Sequence, residues 1–327
     1  MTAHATPRLA PRVSVIVPSF RRPEALQQCL TALAAQTRRP DEVVVGVRAG
    51  DEAALVVIEA ARVAGLPVVA ACTSQAGVIA AMQVALDATM GDIVALTDDD
   101  ARPRPDWIAG LLAHFAAASD IGGVGGRDWQ PSERGNAARV GIVQWFGRVI
   151  GNHHLGNGPA RDVDVLKGAN CAFRASLLRA VGFDARLHGA GAQMYWELGV
   201  CLPLRRIGWR LVYDPAVAVD HDVAPRHDAD TLHRGIFAAT PLHDAVHNET
   251  VELLEGRSLP SRAVFMIWAL LVGTIEGPGL VQCVRRLLLG DPVAVRAWRA
   301  AFGGRLAGAA TIRRSPRFLT IPRPEGK

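Results

Sequence analysis

The sequence predicts a doubly wound α/β fold, and three observations carry that expectation. Short β-rich runs alternate with amphipathic helical stretches through the first half of the chain. The first of these runs, VSVIV, is apolar but for Ser14, the signature of a strand buried on both faces of a parallel sheet. Three carboxylates, Asp98, Asp99 and Asp100, follow directly after the fourth run, at the strand end where open α/β sheets bind ligands.

Taken in order, Val13 to Val17 is the first strand, and Pro18 ends it. Pro23 to Ala35 reads as a helix with proline in its first turn. Glu42 to Val47 is the second strand, followed by a helix from Asp51; Val68 to Ala71 is the third. Gly77 to Thr89 is helical and Asp92 to Thr97 is the fourth strand. A helix over Pro105 to Ala118 precedes a glycine-rich strand, Ile121 to Gly126. Residues 127–162 are rich in Gly, Asn and His and are expected to loop over a site. Regular structure resumes at Asp164 to Lys167, with helices from Arg174 and over Tyr195 to Ile207, then a strand at Arg210 to Tyr213. Beyond Pro225 the pattern turns helical. The expected organisation is a short N-terminus (1–11), an α/β domain (12–225) and a helical extension with a basic tail (226–327). The domain divides into two halves, 12–126 and 127–225.

Half of the 327 residues are hydrophobic and a fifth are charged, which excludes a disordered chain. Five scattered cysteines exclude a disulfide scaffold or zinc ribbon and suit a reduced cytosol. No window approaches the roughly 18 apolar residues of a membrane span, and Met1 to Arg12 contains no apolar signal region. Only Lys167 and Lys327 are lysines; the other 34 basic residues are arginines. The net charge of +5 is unevenly placed: from Arg285 onward ten basic residues face Asp291 and Glu325, a net of +8, which leaves about −3 before it. A basic tail behind an apolar segment points to anionic lipid rather than nucleic acid.

Three adjacent carboxylates repel one another unless a cation neutralises them. Mg²⁺ and Mn²⁺ are the natural candidates, because they take oxygen ligands and share carboxylates with substrate phosphates. The alternative is that one aspartate caps the following helix and the others are solvated.

Four segments in order then resemble glycosyltransferase family 2, the inverting nucleotide-sugar enzymes of the GT-A fold. They are VSVIVPSFRRPEALQQCLTALAAQT, GDIVALTDDDARPRPDWIAGLLAHF, LKGANCAFRASLLRAVGFDARL and GWRLVYDPAVAVDHDVAPR, together spanning residues 12–225. The resemblance implies a GT-A type mixed sheet flanked by helices. It assigns Pro18, Ser19, Phe20 and Arg22 to the loop that packs on the donor nucleotide, and Asp98 and Asp100 to a DxD motif holding the donor diphosphate through a divalent cation. Asp99 is grouped with the donor-binding residues, and His221 is placed near the metal or diphosphate. Counting back from Gly208 puts Trp196 and Glu197 where the family has an acidic pair. Glu197 is thereby implied as the base that deprotonates an acceptor hydroxyl, with Trp196 offering an aromatic surface for a sugar. Its alternative role is to favour a helix N-terminus.

The chain also departs from the family pattern. The base-reading stretch after the second strand is Gly46-Val47-Arg48-Ala49-Gly50-Asp51, so either Asp51 or Arg48 could contact the nucleotide. Pro203 stands where the family often has arginine. His221, His227, His233, His243 and His247 leave a rival open, a metal-dependent hydrolase built on a His/Asp cluster. A non-catalytic sugar-nucleotide-binding relative is a further alternative. The apolar stretch Ala263 to Ile275 reads either as a helix buried on the domain or as an interfacial segment. The latter fits a cytoplasmic enzyme peripheral to the inner face of the plasma membrane, with a sugar, lipid-linked or other hydroxyl acceptor.

Overall fold

Residues 10–131, 135–222 and 237–324 are described by a computed structural model. The strands are β1 (Val13–Ser19), β2 (Glu42–Arg48), β3 (Val68–Thr73), β4 (Ile93–Leu96), β5 (Ala101–Pro103), β6 (Ile121–Trp129), β7 (Ile142–Val143), β8 (Val149–Ile150), β9 (Arg161–Val163), β10 (Cys171–Arg174) and β11 (Arg210–His221). The helices are α1 (Pro23–Ala34), α2 (Glu52–Val63), α3 (Val78–Ala88), α4 (Trp107–Ala117), α5 (Ala175–Val181), α6 (Trp196–Arg206), α7 (Ala239–Leu254), α8 (Leu259–Leu271), α9 (Leu280–Leu288) and α10 (Ala294–Arg314).

β4 (IVAL), apolar on both faces, lies at the centre because it has no polar face to turn to water. The sheet runs β3-β2-β1-β4-β10-β6-β11-β5, with β9 added on β11. Strands β1 to β4 are parallel. β10 is antiparallel to both β4 and β6, so the sheet is mixed, as expected. Alternate residues feed opposite cores. Val15, Val45 and Ala95 meet Leu26, Ile58 and Trp107 of α1, α2 and α4. Ile16, Val44 and Val94 meet Met82, Leu178 and Val200 of α3, α5 and α6. The second core also takes Val251, Phe265 and Ile312 from the C-terminal helices, so the extension shares the domain's core.

Several boundaries differ from expectation, each for a local reason. β6 runs on to Trp129 and β11 to His221, because they pair in parallel past a bulge between Asp214 and Ala218. Asp164 to Lys167 is a loop rather than a strand; pairing is made by β9 before it and β10 after it. Pro203 lies inside α6 without ending it. α8 is neither fully buried nor fully exposed: Phe265 and Ala269 enter the core while Ile267 and Leu271 face out. The expected domain boundary at 225–230 lies outside the described residues.

Candidate active site

Strand order changes direction between β1 and β4, and the crevice beyond their carboxyl ends is where a doubly wound sheet binds ligands. A cleft of about 1040 Å³ opens there. Pro18, Ser19, Phe20 and Arg22 reach it from the end of β1, Arg48 from β2, Asp98 and Asp100 from beyond β4, Glu197 from α6 and His221 from the end of β11.

The aspartates occupy the tight turn between β4 and β5, closed by the Ala101 N–H donating to the Asp98 carbonyl. The turn points them in different directions. Asp98 keeps 38% of its side chain exposed, whereas Asp99 is completely buried. Asp99 therefore does not line the cleft, contrary to its expected grouping with the donor-binding residues. It pairs with Arg22 at 2.5 Å, and Arg22 Nη1 donates to Asp100 Oδ2 at 2.8 Å. Burial pushes the Asp99 carboxyl up to about 7, with Asp100 adding to the rise and Arg22 opposing it. The charge of Arg22 is thus engaged in holding the acidic turn together.

His221 completes the group. Its Nε2 lies 3.2 Å from Asp100 Oδ1 and 3.9 Å from Asp98 Oδ2, and its Nδ1 lies 3.6 Å from Asp128 Oδ2. Burial pulls the imidazole's pKa down, but the neighbouring carboxylates of Asp100, Asp128 and Asp98 outweigh it and raise it to about 10. The ligand atoms of Asp98, Asp100 and His221 all fall within 4.8 Å of one another. Two carboxylates and one imidazole make a donor set suited to Mn²⁺ or Mg²⁺, so the residues present fit a divalent cation.

Glu197 is the second residue of α6, whose N-cap is Tyr195, a non-glycine residue at φ +72°. Its Oε1 accepts from the Gly168 N–H at 3.1 Å. Burial raises its pKa, partly countered by Lys167 and by that amide bond. A carboxylate poised in this way is suited to take a proton. Trp196, expected to face a sugar, packs edge-to-face on Phe183 at 5.4 Å and is only 8% exposed, so most of its ring belongs to the core.

Arg48 stands 5.3 Å from the centre of the Phe20 ring. Asp51 has a structural role: it accepts from the Ala54 N–H to cap α2 and from the Arg21 N–H to hold the loop after β1. Sequence reasoning missed Asp128 and Lys167. Asp128 ends a parallel strand, the same signal that drew attention to Asp98. Lys167 is the one lysine among the described residues of an arginine-rich chain, and it lines the cleft. Also missed was the wall supplied by the extension, including Trp268, Thr274, Glu276, Gln282 and Arg285.

The histidines proposed for a hydrolase do not gather around His221. His243 and Asp244 group with His188, while His247 stacks on His188 at 3.6 Å and reaches Thr311 through Nε2. His227 and His233 lie outside the described residues.

A mixed sheet with an acidic turn at its switch point, faced across the cleft by a carboxylate from α6, makes an α/β ligand site able to hold a cation. The family model described as "Glycosyltransferase like family 2" matches residues 11–240, and the chain belongs to that family. It is 29% identical over 230 residues to the pre-mycofactocin glycosyltransferase of Mycobacterium tuberculosis, covering 69% of this chain and 46% of that protein. It is 27% identical over 227 residues to the glucosyl-dolichyl phosphate glucuronosyltransferase of Haloferax volcanii, covering 64% of this chain and 69% of that one. The chain thus spans about half the length of the mycobacterial relative. Among solved structures it resembles the mannosyltransferase PcManGT from Pyrobaculum calidifontis, in complex with GDP-Man and Mn²⁺, at 20% identity and a TM-score of 0.53. That match covers 93% of this chain and 88% of the other, and supports the GT-A fold.

Proposed function

We infer that the protein is an inverting glycosyltransferase that moves a sugar from a nucleotide-sugar donor to an acceptor hydroxyl. The observation that carries this reading is the convergence of Asp98, Asp100, His221 and Glu197 on one cleft at the switch point of the sheet. In it, residues 12–126 bind the nucleotide, 127–225 shape the acceptor side, and the described part of the 226–327 extension completes the wall through residues between Glu249 and Arg285.

Asp98, Asp100 and His221 would hold the divalent cation, with Arg22 and Asp128 keeping them in place. When bound, that ion supplies positive charge against the leaving diphosphate. Pro18, Ser19, Phe20 and Arg48 offer the nucleotide a surface of backbone, aromatic ring and guanidinium. Glu197, held through Oε1 by Gly168, takes the proton of the acceptor hydroxyl as its oxygen attacks the anomeric carbon. One displacement, with no glycosyl-enzyme intermediate, inverts the configuration. The acceptor is a sugar, lipid-linked or other hydroxyl compound, and the enzyme works in the cytoplasm against an anionic membrane. No helix among the described residues is long and apolar enough to cross a membrane.

The test is a calorimetric screen of nucleotide sugars with and without Mn²⁺ or Mg²⁺, followed by a transfer assay on the donor that binds. Metal-dependent donor binding that Asp100→Ala abolishes is expected. Nucleotide affinity indifferent to both metal and that substitution would overturn the metal assignment. Donor binding with no transfer to any acceptor would favour a non-catalytic binding protein.

A further inference from the structure

Helix α9 is built the wrong way round for a soluble surface. Leu280, Val281, Val284, Leu287 and Leu288 recur at i, i+1, i+4, i+7 and i+8, which places them on one face of the helix. That spacing ordinarily marks the side turned to the core. Here each of the five is between 47% and 83% exposed, and Cys283 alone of the helix is buried. The apolar surface continues outside α9, with Leu289 75%, Ile275 63%, Ile267 59% and Leu271 52% exposed. Unpartnered apolar area on this scale marks a binding surface.

Charge identifies the occupant. α9 packs on α10 through the bond from Cys283 Sγ to the Ala294 carbonyl. On α10, Val295, Arg296, Arg299, Phe302, Leu306, Arg313 and Arg314 fall on one helical face and all are exposed. Arginines interleaved with apolar side chains suit a surface that is anionic at its headgroups and apolar just beneath. Position adds a third argument. Gln282 and Arg285 of α9, with Ile275 in the loop before it, line the same cleft as Asp98, His221 and Glu197.

We propose that the outer faces of α9 and α10 dock the protein on an anionic lipid bilayer, with the apolar stripe of α9 inserted at the headgroup boundary and the mouth of the cleft at the membrane surface. The docking surface stands on these observations alone; that it delivers a membrane-borne acceptor to Glu197 rests on the transferase reading above.

The experiment is co-flotation of the full chain with phosphatidylcholine vesicles and with phosphatidylcholine–phosphatidylglycerol vesicles, at low and high salt. Binding to the anionic vesicles, weakened by salt, is expected. The double substitution Val284→Glu/Leu287→Glu is expected to lower vesicle binding at least tenfold, and Arg299→Gln/Arg313→Gln to lower the preference for anionic lipid. Because those positions are exposed, both variants should keep the wild-type unfolding profile and Mn²⁺-dependent nucleotide binding. Absence of flotation, or flotation unchanged by Val284→Glu/Leu287→Glu, would overturn the proposal. So would a concentration-dependent dimer, seen by light scattering, that the same variant dissolves, since the occupant would then be a second copy. Nucleotide binding is read separately, so failure of the transferase reading leaves the docking result interpretable.

Discussion

Glu197 and His221 illustrate how position rather than residue type sets chemistry. Glu197 is expected to be needed for transfer but not for donor binding, so Glu197→Gln should cut turnover by roughly 10²–10⁴-fold while calorimetric donor affinity persists. Its raised pKa also fixes a pH dependence. The base is competent only when ionised, so activity falls as pH drops through that raised value. The acid limb of the kcat/KM profile is therefore expected above the ordinary glutamate value of about 4.3; a limb at or below it would show that Glu197 is not the titrating base. Asp128 lies 3.6 Å from His221 Nδ1, on the opposite side of the ring from Asp98 and Asp100. Asp128→Asn should weaken Mn²⁺ binding by roughly 10–100-fold, and unchanged affinity in a metal titration would refute that supporting role.

At the scale of elements, the crossing of α7 and α10 holds the extension in place. Gly304 and Gly308 of α10 face α7 directly; a Cβ on Gly304 would sit 2.5 Å from the His243 carbonyl oxygen, and one on Gly308 2.7 Å from Thr250 Cβ. Gly304→Val would force the helices apart and should cost about 1–3 kcal/mol in denaturant unfolding. Between them Arg305, only 1% exposed, pairs with Glu249 at 2.5 Å and donates to Thr250 Oγ1. Arg305→Ala leaves that carboxylate buried without its partner, an expected loss of about 3–5 kcal/mol. Glu249 also lines the cleft, so the α7–α10 crossing and the site are mechanically joined.

For the whole molecule, the extension and the sheet form one cooperative unit. Val251, Leu253, Leu254, Phe265, Ala269 and Ile312 belong to the same apolar cluster as Ile16, Val44 and Leu96. Removing residues 239–327 would bare that core face and the cleft wall together. The truncated chain is expected to lose its sharp unfolding transition in calorimetry and to aggregate; a stable truncated protein with full donor affinity would show that the extension is an independent module.

The sequence by itself determined the strands and helices of residues 12–126, because largely apolar runs and amphipathic helices leave one favourable arrangement, a covered parallel sheet. The carboxylate run pointed to Asp98 and Asp100, and the resemblance to glycosyltransferase family 2 pointed to Glu197 and His221; all four line one cleft. Tertiary structure alone decided which of three adjacent aspartates faces the cleft, since the β4–β5 turn buries Asp99 against Arg22. It turned Trp196 inward, tied Asp51 to the Arg21 N–H and brought Asp128 behind His221, all through contacts between residues well separated in the chain. The opening pattern of apolar α9 predicts only that the helix has two faces. Whether the apolar one meets a core or the outside depends on which neighbours already fill the interior, and here α7, α8 and α10 fill it first.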